Sequence, residues 1–225
     1  MIFDLDGTLA DSEPLHFEAF RTTLQEVGLD LDRTIYYRDL IGFNDYDCLA
    51  AVLHAAERQP APALVNRLAA RKAELYQAMI AERDVLYPGA ADFVRRCAER
   101  FPLALATGTL RVEAETILQR AGLRDRFVEL VAAEDVAHGK PAPDGFLTAL
   151  GRLGFLLRPR PSLMPAECLV VEDTVAGITA AHRAGMRVLA VAQTAPAAEL
   201  AAADWVRPSL AATDLDELLQ AAARD

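Results

Sequence analysis

Two aspartates stand two residues apart in Asp4-Leu5-Asp6-Gly7-Thr8, directly after the apolar residues Ile2 and Phe3. In extended chain, residues i and i+2 point to the same side, so both carboxylates can face one site. Gly7 permits a tight turn immediately afterwards, and Thr8 supplies a hydroxyl. One carboxylate of such a pair can attack phosphorus and form an acyl phosphate. The other can protonate the leaving oxygen and later deprotonate water. Aspartates are also common in turns that follow strands. That reading accounts for one Asp with its Gly and accounts less well for the pair.

A second acid pair ends the apolar run Val170-Val171, as Glu172-Asp173, and Thr174 and Gly177 follow. Acids at this place can simply cap a helix. Beside Asp4 and Asp6 they can instead build a site for Mg²⁺, which takes oxygen ligands and keeps several waters. Both readings of Asp173 stand at this point. Thr107-Gly108-Thr109 follows the apolar run Leu103–Ala106. Hydroxyl and N–H groups there can hold phosphate oxygens, helped by the start of the next helix. Gly139-Lys140-Pro141-Ala142-Pro143-Asp144 sets a lysine among turn-formers. Lys140 is the cation that a phosphate needs, and it can hold Asp4 ionised.

The elements that must position these groups follow from the hydrophobic pattern. Short apolar runs at Met1–Phe3, Leu103–Ala106, Leu130–Ala132, Leu169–Val171 and Val188–Val191 read as buried strands, with a last short one at Asp204–Val206. Helices are expected at Ala90–Arg100, Arg111–Ala121, Phe146–Leu153, Val175–Ala184 and Leu215–Ala221. Strands alternating with helices imply a parallel sheet covered on both faces. The stretch between the first two strands breaks that alternation. Leu15, Phe17, Phe20, Leu24 and Val27 recur at helical spacing, as do Leu49, Val52 and Leu53, and then Leu64, Leu68, Leu75, Met79 and Ile80. The expected fold is therefore α/β, a core at 1–12 and 84–225 with an all-helical insert at 13–83.

Bulk composition limits the partners. The chain has 225 residues, 52% hydrophobic and 25% charged, which suits a sizeable core. Its net charge of −10 repels nucleic acid and anionic membranes, so neither is expected. Cys48, Cys97 and Cys168 form no CxxC pair and read as reduced, buried thiols of a cytoplasmic protein. No signal peptide pattern opens the sequence, and no apolar stretch is long enough to span a membrane. A monomer is the expected state.

Taken together, the four motifs resemble the haloacid dehalogenase-like hydrolase superfamily. The resemblance runs from Asp4 to Met186. It implies a Rossmann-like parallel sheet core flanked by helices, with a small helical cap inserted after the first motif. It implies Asp4 as nucleophile, Asp6 as general acid/base, Thr107, Gly108 and Thr8 around the phosphate, and Lys140 as electrostatic partner. It further implies Mg²⁺ held by the Asp4 carboxylate, the Asp6 backbone carbonyl and Asp173, with Glu172 a direct or supporting ligand. In the dehalogenases and phosphonatases of this superfamily the acid matching Asp6 is replaced. A leaving alcohol needs a proton and a halide does not, so Asp6 favours phosphate esters.

Glu172-Asp173-Thr174-Val175-Ala176-Gly177 and Asp11-Ser12-Glu13-Pro14-Leu15-His16 look like the subgroup of sugar-phosphate phosphatases and β-phosphoglucomutases. His16 then assists the acid/base; the alternative is an exposed polar residue on the first cap helix. Lys72 resembles a cap residue that reaches substrate; the alternative is a solvated helix face. The mutases hold a second phosphate with a cap arginine shortly after a glycine, whereas Gly42-Phe43-Asn44-Asp45 has none there. The expected reaction is therefore Mg²⁺-dependent hydrolysis of a small phosphorylated metabolite, a sugar phosphate, through an aspartyl phosphate. A mutase and a phosphoglycolate phosphatase are the alternatives.

Overall fold

The computed structural model describes residues 1–223 apart from Gly42, Asn44 and 157–162. Gly42 and Asn44, named above against the mutases, thus lie outside the described residues. The chain divides into two compact units, Met1–Asp11 with Asp84–Asp225, and Ser12–Arg83.

The first unit is built on a six-stranded sheet: β1 (Ile2–Phe3), β2 (Leu103–Ala106), β3 (Phe127–Val131), β4 (Leu169–Glu172), β5 (Arg187–Val191) and β6 (Trp205–Arg207). The order is β3-β2-β1-β4-β5-β6, and every neighbouring pair is parallel. In such doubly wound sheets ligands bind outside the carboxyl ends of the strands, where the strand order reverses. Here the reversal falls at β1, with β2 on one side and β4 on the other. β1 spans only two residues, yet both are fully buried. Ile2 joins the core of Ala104, Val170, Phe146 and Ile178 on one face, while Phe3 meets Phe93 and Phe127 edge-on. Successive residues of a strand point to opposite faces, so two residues suffice to anchor Asp4 into both layers.

Helices α1 (Glu13–Gln25), α2 (Arg33–Ile35, running on as a π-helical turn Tyr36–Leu40), α3 (Asp45–Ala55) and α4 (Pro62–Glu82) make up the second unit. Phe17, Phe20, Leu24, Leu49, Leu53 and Leu68 pack its own core. Among the described residues it contains no strand. The sheet unit carries α5 (Ala90–Ala98), α6 (Arg111–Arg120), α7 (Asp144–Leu156), α8 (Val175–Arg183) and α9 (Leu215–Ala222).

The structure departs from expectation chiefly at β3, which begins at Phe127 rather than Leu130. β3 is an edge strand, and at an edge one side stays open. Val128 is 52% exposed there and Glu129 follows it, and the charged residue breaks the apolar run that marks a buried parallel strand. Helix α7 likewise starts two residues early, at Asp144.

Candidate active site

Strand register brings the first and last motifs together. Ile2 and Phe3 pair with Ala104 and Leu105 on one side and with Val170 and Val171 on the other. Asp4 continues this ladder, donating its backbone N–H to the Val171 carbonyl at 3.0 Å. Asp4 therefore emerges beside Glu172 and Asp173. The chain then folds tightly on itself, with Gly7 N bonded to Ala10 O at 2.8 Å. Gly7 has φ of +80°, and a Cβ there would lie 2.2 Å from Asp173 Oδ2. Only glycine meets both demands.

Lys140, from the loop before α7, places Nζ 2.5 Å from Asp4 Oδ1 and also donates to Glu172 Oε1. The far oxygen of Glu172 accepts from Asp173 N (2.8 Å), Thr174 N (2.8 Å) and Thr174 Oγ1 (2.9 Å). Asp173 accepts from Thr8 Oγ1 at 2.9 Å and from Thr194 Oγ1. Thr8 was expected at the phosphate; it is fully buried and gives its hydroxyl proton to Asp173 instead. Asp6 accepts from Thr109 Oγ1, while Thr107 Oγ1 accepts from Thr109 N at 3.1 Å. Thr107, itself nearly buried, ends β2, with its N–H on the Val131 carbonyl at 3.0 Å. Gly108 is open: an added Cβ would touch nothing. A cavity of about 420 Å³ lies alongside, walled by Thr107, Gly108 and Lys140 with Ala106, Val136 and Phe146.

The electrostatics follow from burial. Burial pushes the Asp4 carboxyl well above its usual range, with Glu172 and Asp173 adding to the effect and Lys140 opposing it. Burial also raises Asp173, to about 6, and the charge of Glu172 contributes. Burial works against ionisation of Glu172 as well, but Lys140 and two backbone N–H groups overcome it and hold that carboxyl low. Burial disfavours the Lys140 ammonium, and Asp4 and Glu172 more than compensate. Three carboxyls share a single ammonium, so ionising all three leaves an excess of negative charge.

A hard divalent cation fits that excess. Asp4, Glu172 and Asp173 are all buried and offer carboxylate oxygens within 4.8 Å of one another. Charged oxygen donors suit Mg²⁺ or a similar hard ion. The Asp6 side chain is outside this trio; the resemblance assigned its backbone carbonyl.

His16 and Lys72 belong to the helical unit. Lys72 Nζ lies 2.8 Å from His16 Nδ1 and 2.8 Å from Asp45 Oδ1, over the rings of Phe20 and Tyr76. Lys72 is only 1% exposed, so it does not lie on a solvated helix face. His16 stacks on Tyr76 with ring centroids 4.0 Å apart.

Sequence reasoning missed Gln193 and Thr194. Gln193 Nε2 donates to the carbonyls of Gly7 (2.9 Å) and Thr8 (3.0 Å), tying the turn after β1 to the end of β5. Both residues follow β5 in a segment whose composition carries no signal; only the sheet order brings them to β1.

Known proteins resemble this chain over most of its length. A model of haloacid dehalogenase-like hydrolases matches residues 1–185. The chain is 36% identical over 186 residues to fructose-1-phosphate phosphatase YqaB of Escherichia coli, covering 83% of this chain and 92% of that protein. It is 32% identical over 201 residues to β-phosphoglucomutase of Bacillus subtilis, covering 87% and 84%. A crystal structure of CbbY from Rhodobacter sphaeroides in complex with xylulose-1,5-bisphosphate superposes with a TM-score of 0.77 at 30% identity, covering 93% of each chain.

Proposed function

Because the chain belongs to the haloacid dehalogenase-like hydrolase family, we propose that this phosphatase hydrolyses a small sugar phosphate through a phosphorylated Asp4. The observation that supports it most is the Lys140–Asp4 pair at the carboxyl end of β1, flanked by Thr107, Asp6 and the Glu172–Asp173 pair. The sugar comes from the relatives: one is named for fructose 1-phosphate, and another was crystallised with a sugar bisphosphate.

In this reading Lys140, Thr107 and the backbone around Gly108 receive the phosphate oxygens. A carboxylate oxygen of Asp4 attacks phosphorus in line as the bond from phosphorus to the ester oxygen breaks. Asp6 gives its proton to that oxygen, and the sugar alcohol leaves. Asp6, now a carboxylate, takes a proton from water, whose oxygen attacks phosphorus. The bond to Asp4 breaks, and inorganic phosphate leaves. Asp4, Asp173 and the Asp6 carbonyl would hold Mg²⁺, which supplies neutralising charge beside the phosphate. Glu172, which accepts from four donors, fixes Lys140 and the turn into α8. Positioning and charge neutralisation then account for most of the rate.

The test is phosphate release from hexose and pentose phosphates, sugar bisphosphates, phosphoglycolate and nucleotides, with Mg²⁺ and with EDTA. Mg²⁺-dependent release from sugar phosphates, lost in Asp4→Asn, is the expected result. Formation of glucose 6-phosphate from β-glucose 1-phosphate without net phosphate release would replace hydrolysis by mutase chemistry. Wild-type turnover in Asp4→Asn would remove Asp4 as nucleophile.

A further inference from the structure

Asp135 ends a short 3₁₀ turn, Ala133–Asp135, just beyond the edge strand β3. Its carboxylate gathers three groups from three different segments. It accepts the Ala132 N–H at 2.9 Å. It accepts from the guanidinium of Arg111, the first residue of α6. It pairs with the guanidinium of Arg152 on α7, Nη2 to Oδ1 at 3.2 Å. Both arginines also donate to one carbonyl, that of Leu130, at 3.0 and 3.1 Å. Burial opposes ionisation of Asp135, yet the Ala132 N–H and the two guanidinium groups hold its carboxyl below the usual range.

What the three segments carry gives this cluster its meaning. Arg111 stands two residues after Thr109, in the loop that holds Thr107 and supplies the hydroxyl on Asp6. Helix α7 begins four residues after Lys140. The turn at Asp135 opens the loop that leads to Lys140. Two further bonds run between the same loops: Ala133 N to Thr109 O at 3.0 Å, and Arg111 N to the Glu134 carboxylate at 3.2 Å. The Asp135 side chain is 20% exposed, with Arg111 at 38% and Arg152 at 35%. Partly exposed pairs of this kind contribute little to global stability, so they are weak candidates for a purely structural device. They can nevertheless set where two loops sit, and small displacements of catalytic groups are costly to rate.

We propose that Asp135 is a positioning residue, which clamps the Thr107–Thr109 loop to the Lys140 loop through Arg111 and Arg152 and so fixes Lys140 and Asp6 around the phosphate. The proposal rests on the phosphatase reading above. It predicts a loss in kcat larger than any loss of fold, because the clamp acts on the alignment of groups and not on the core.

The experiment compares wild-type protein, Asp135→Ala, Asp135→Asn, Arg111→Ala and the double variant Asp135→Ala/Arg111→Ala on one turned-over sugar phosphate. Asp135→Ala should lower kcat by about 10- to 100-fold with a much smaller change in KM. Asp135→Asn keeps an acceptor for the Ala132 N–H and should fall between. Adding Arg111→Ala to Asp135→Ala should cost little more, since one clamp is lost either way. Glu217→Ala, which removes the exposed Arg207 pair (3.3 Å), is the control and should leave kcat unchanged. Should Asp135→Ala not fold, Asp135→Asn and Arg111→Ala carry the same test. Wild-type kcat in Asp135→Ala, or a loss that disappears on cooling together with the unfolded fraction, overturns the clamp. Wild-type protein that releases no phosphate from any ester overturns the phosphatase reading instead, and the clamp with it.

Discussion

Lys140 Nζ lies 2.5 Å from Asp4 Oδ1 across 136 residues of sequence, and the same ammonium donates to Glu172 Oε1. Burial alone would neutralise Asp4, which is of no use as a nucleophile in that form. The ammonium opposes that burial.

Lys140→Met should therefore lower kcat by about 10²–10³-fold, the scale seen when one preorganised charge partner is removed. It should also destabilise the metal-free protein by about 3–5 kcal/mol, since Asp4 and Glu172 lose their buried counter-charge. Lys140→Arg should not restore turnover, because a planar fork does not replace a compact ammonium between two carboxylates. Steady-state kinetics and thermal melts in EDTA check both parts.

Much of this site could be read from the sequence because it sits at strand ends. Ile2-Phe3 before Asp4, Leu103–Ala106 before Thr107 and Val170-Val171 before Glu172 each end a buried strand in the structure. What stayed hidden depends on which strands are neighbours. Thr194 and Gln193 touch Asp173 and the turn at Gly7 only because β5 pairs with β4 and β4 with β1. The partner of Thr8 is hidden for a related reason. A hydroxyl after Gly7 looks free to bind phosphate, but the tight turn directs it inward to Asp173. Lys72 looked as suited to solvent as to a site, because helical periodicity alone does not show that Asp45 and His16 meet its ammonium.

Gly177 is the second residue whose exchange should be costly. A Cβ there would lie 1.9 Å from the Glu172 carboxylate. A free carboxylate could swing aside, but this one is held by Lys140, Asp173 N and both donors of Thr174. Gly177→Ala should cost about 1–3 kcal/mol, the usual scale for overpacking. It should also lower kcat, because displaced Glu172 takes Lys140 with it. Gly108→Ala is the contrast: its Cβ meets nothing, so stability should stay unchanged.

Metal removal should act on both activity and stability. Three buried carboxylates converge on one ammonium, so a hard divalent ion relieves their repulsion. Turnover should vanish in EDTA and return with Mg²⁺. Mg²⁺ at about 100 times its Kd should add about 2.7 kcal/mol, or roughly 5–10 °C in Tm for a chain of this size. Asp173→Asn should abolish the Tm increment. An equal increment in that variant would place the ion elsewhere.

His16 gives the sharpest pH dependence. It lies on α1, against Tyr76 and Lys72 of α4, and Asp45 of α3 accepts from the same Lys72 ammonium. Burial, with the nearby Lys72 ammonium adding to it, lowers its pKa from 6.5 to about 3. In the folded chain His16 is therefore neutral where the unfolded chain binds a proton. Stability is fully present above pH 6.5 and is lost as pH falls toward 3, at up to about 1.36 kcal/mol per unit. At pH 5 the loss should be about 2 kcal/mol. Asp173, raised to about 6, titrates in the same window with the opposite sign. The effect must therefore be read as a difference between wild type and His16→Gln, in denaturant unfolding at pH 7.5 and pH 5. Wild type should lose about 2 kcal/mol more than the variant over that interval. Equal losses in the two proteins would mean that His16 accepts a proton in the fold, and that Lys72 and the imidazole are held apart.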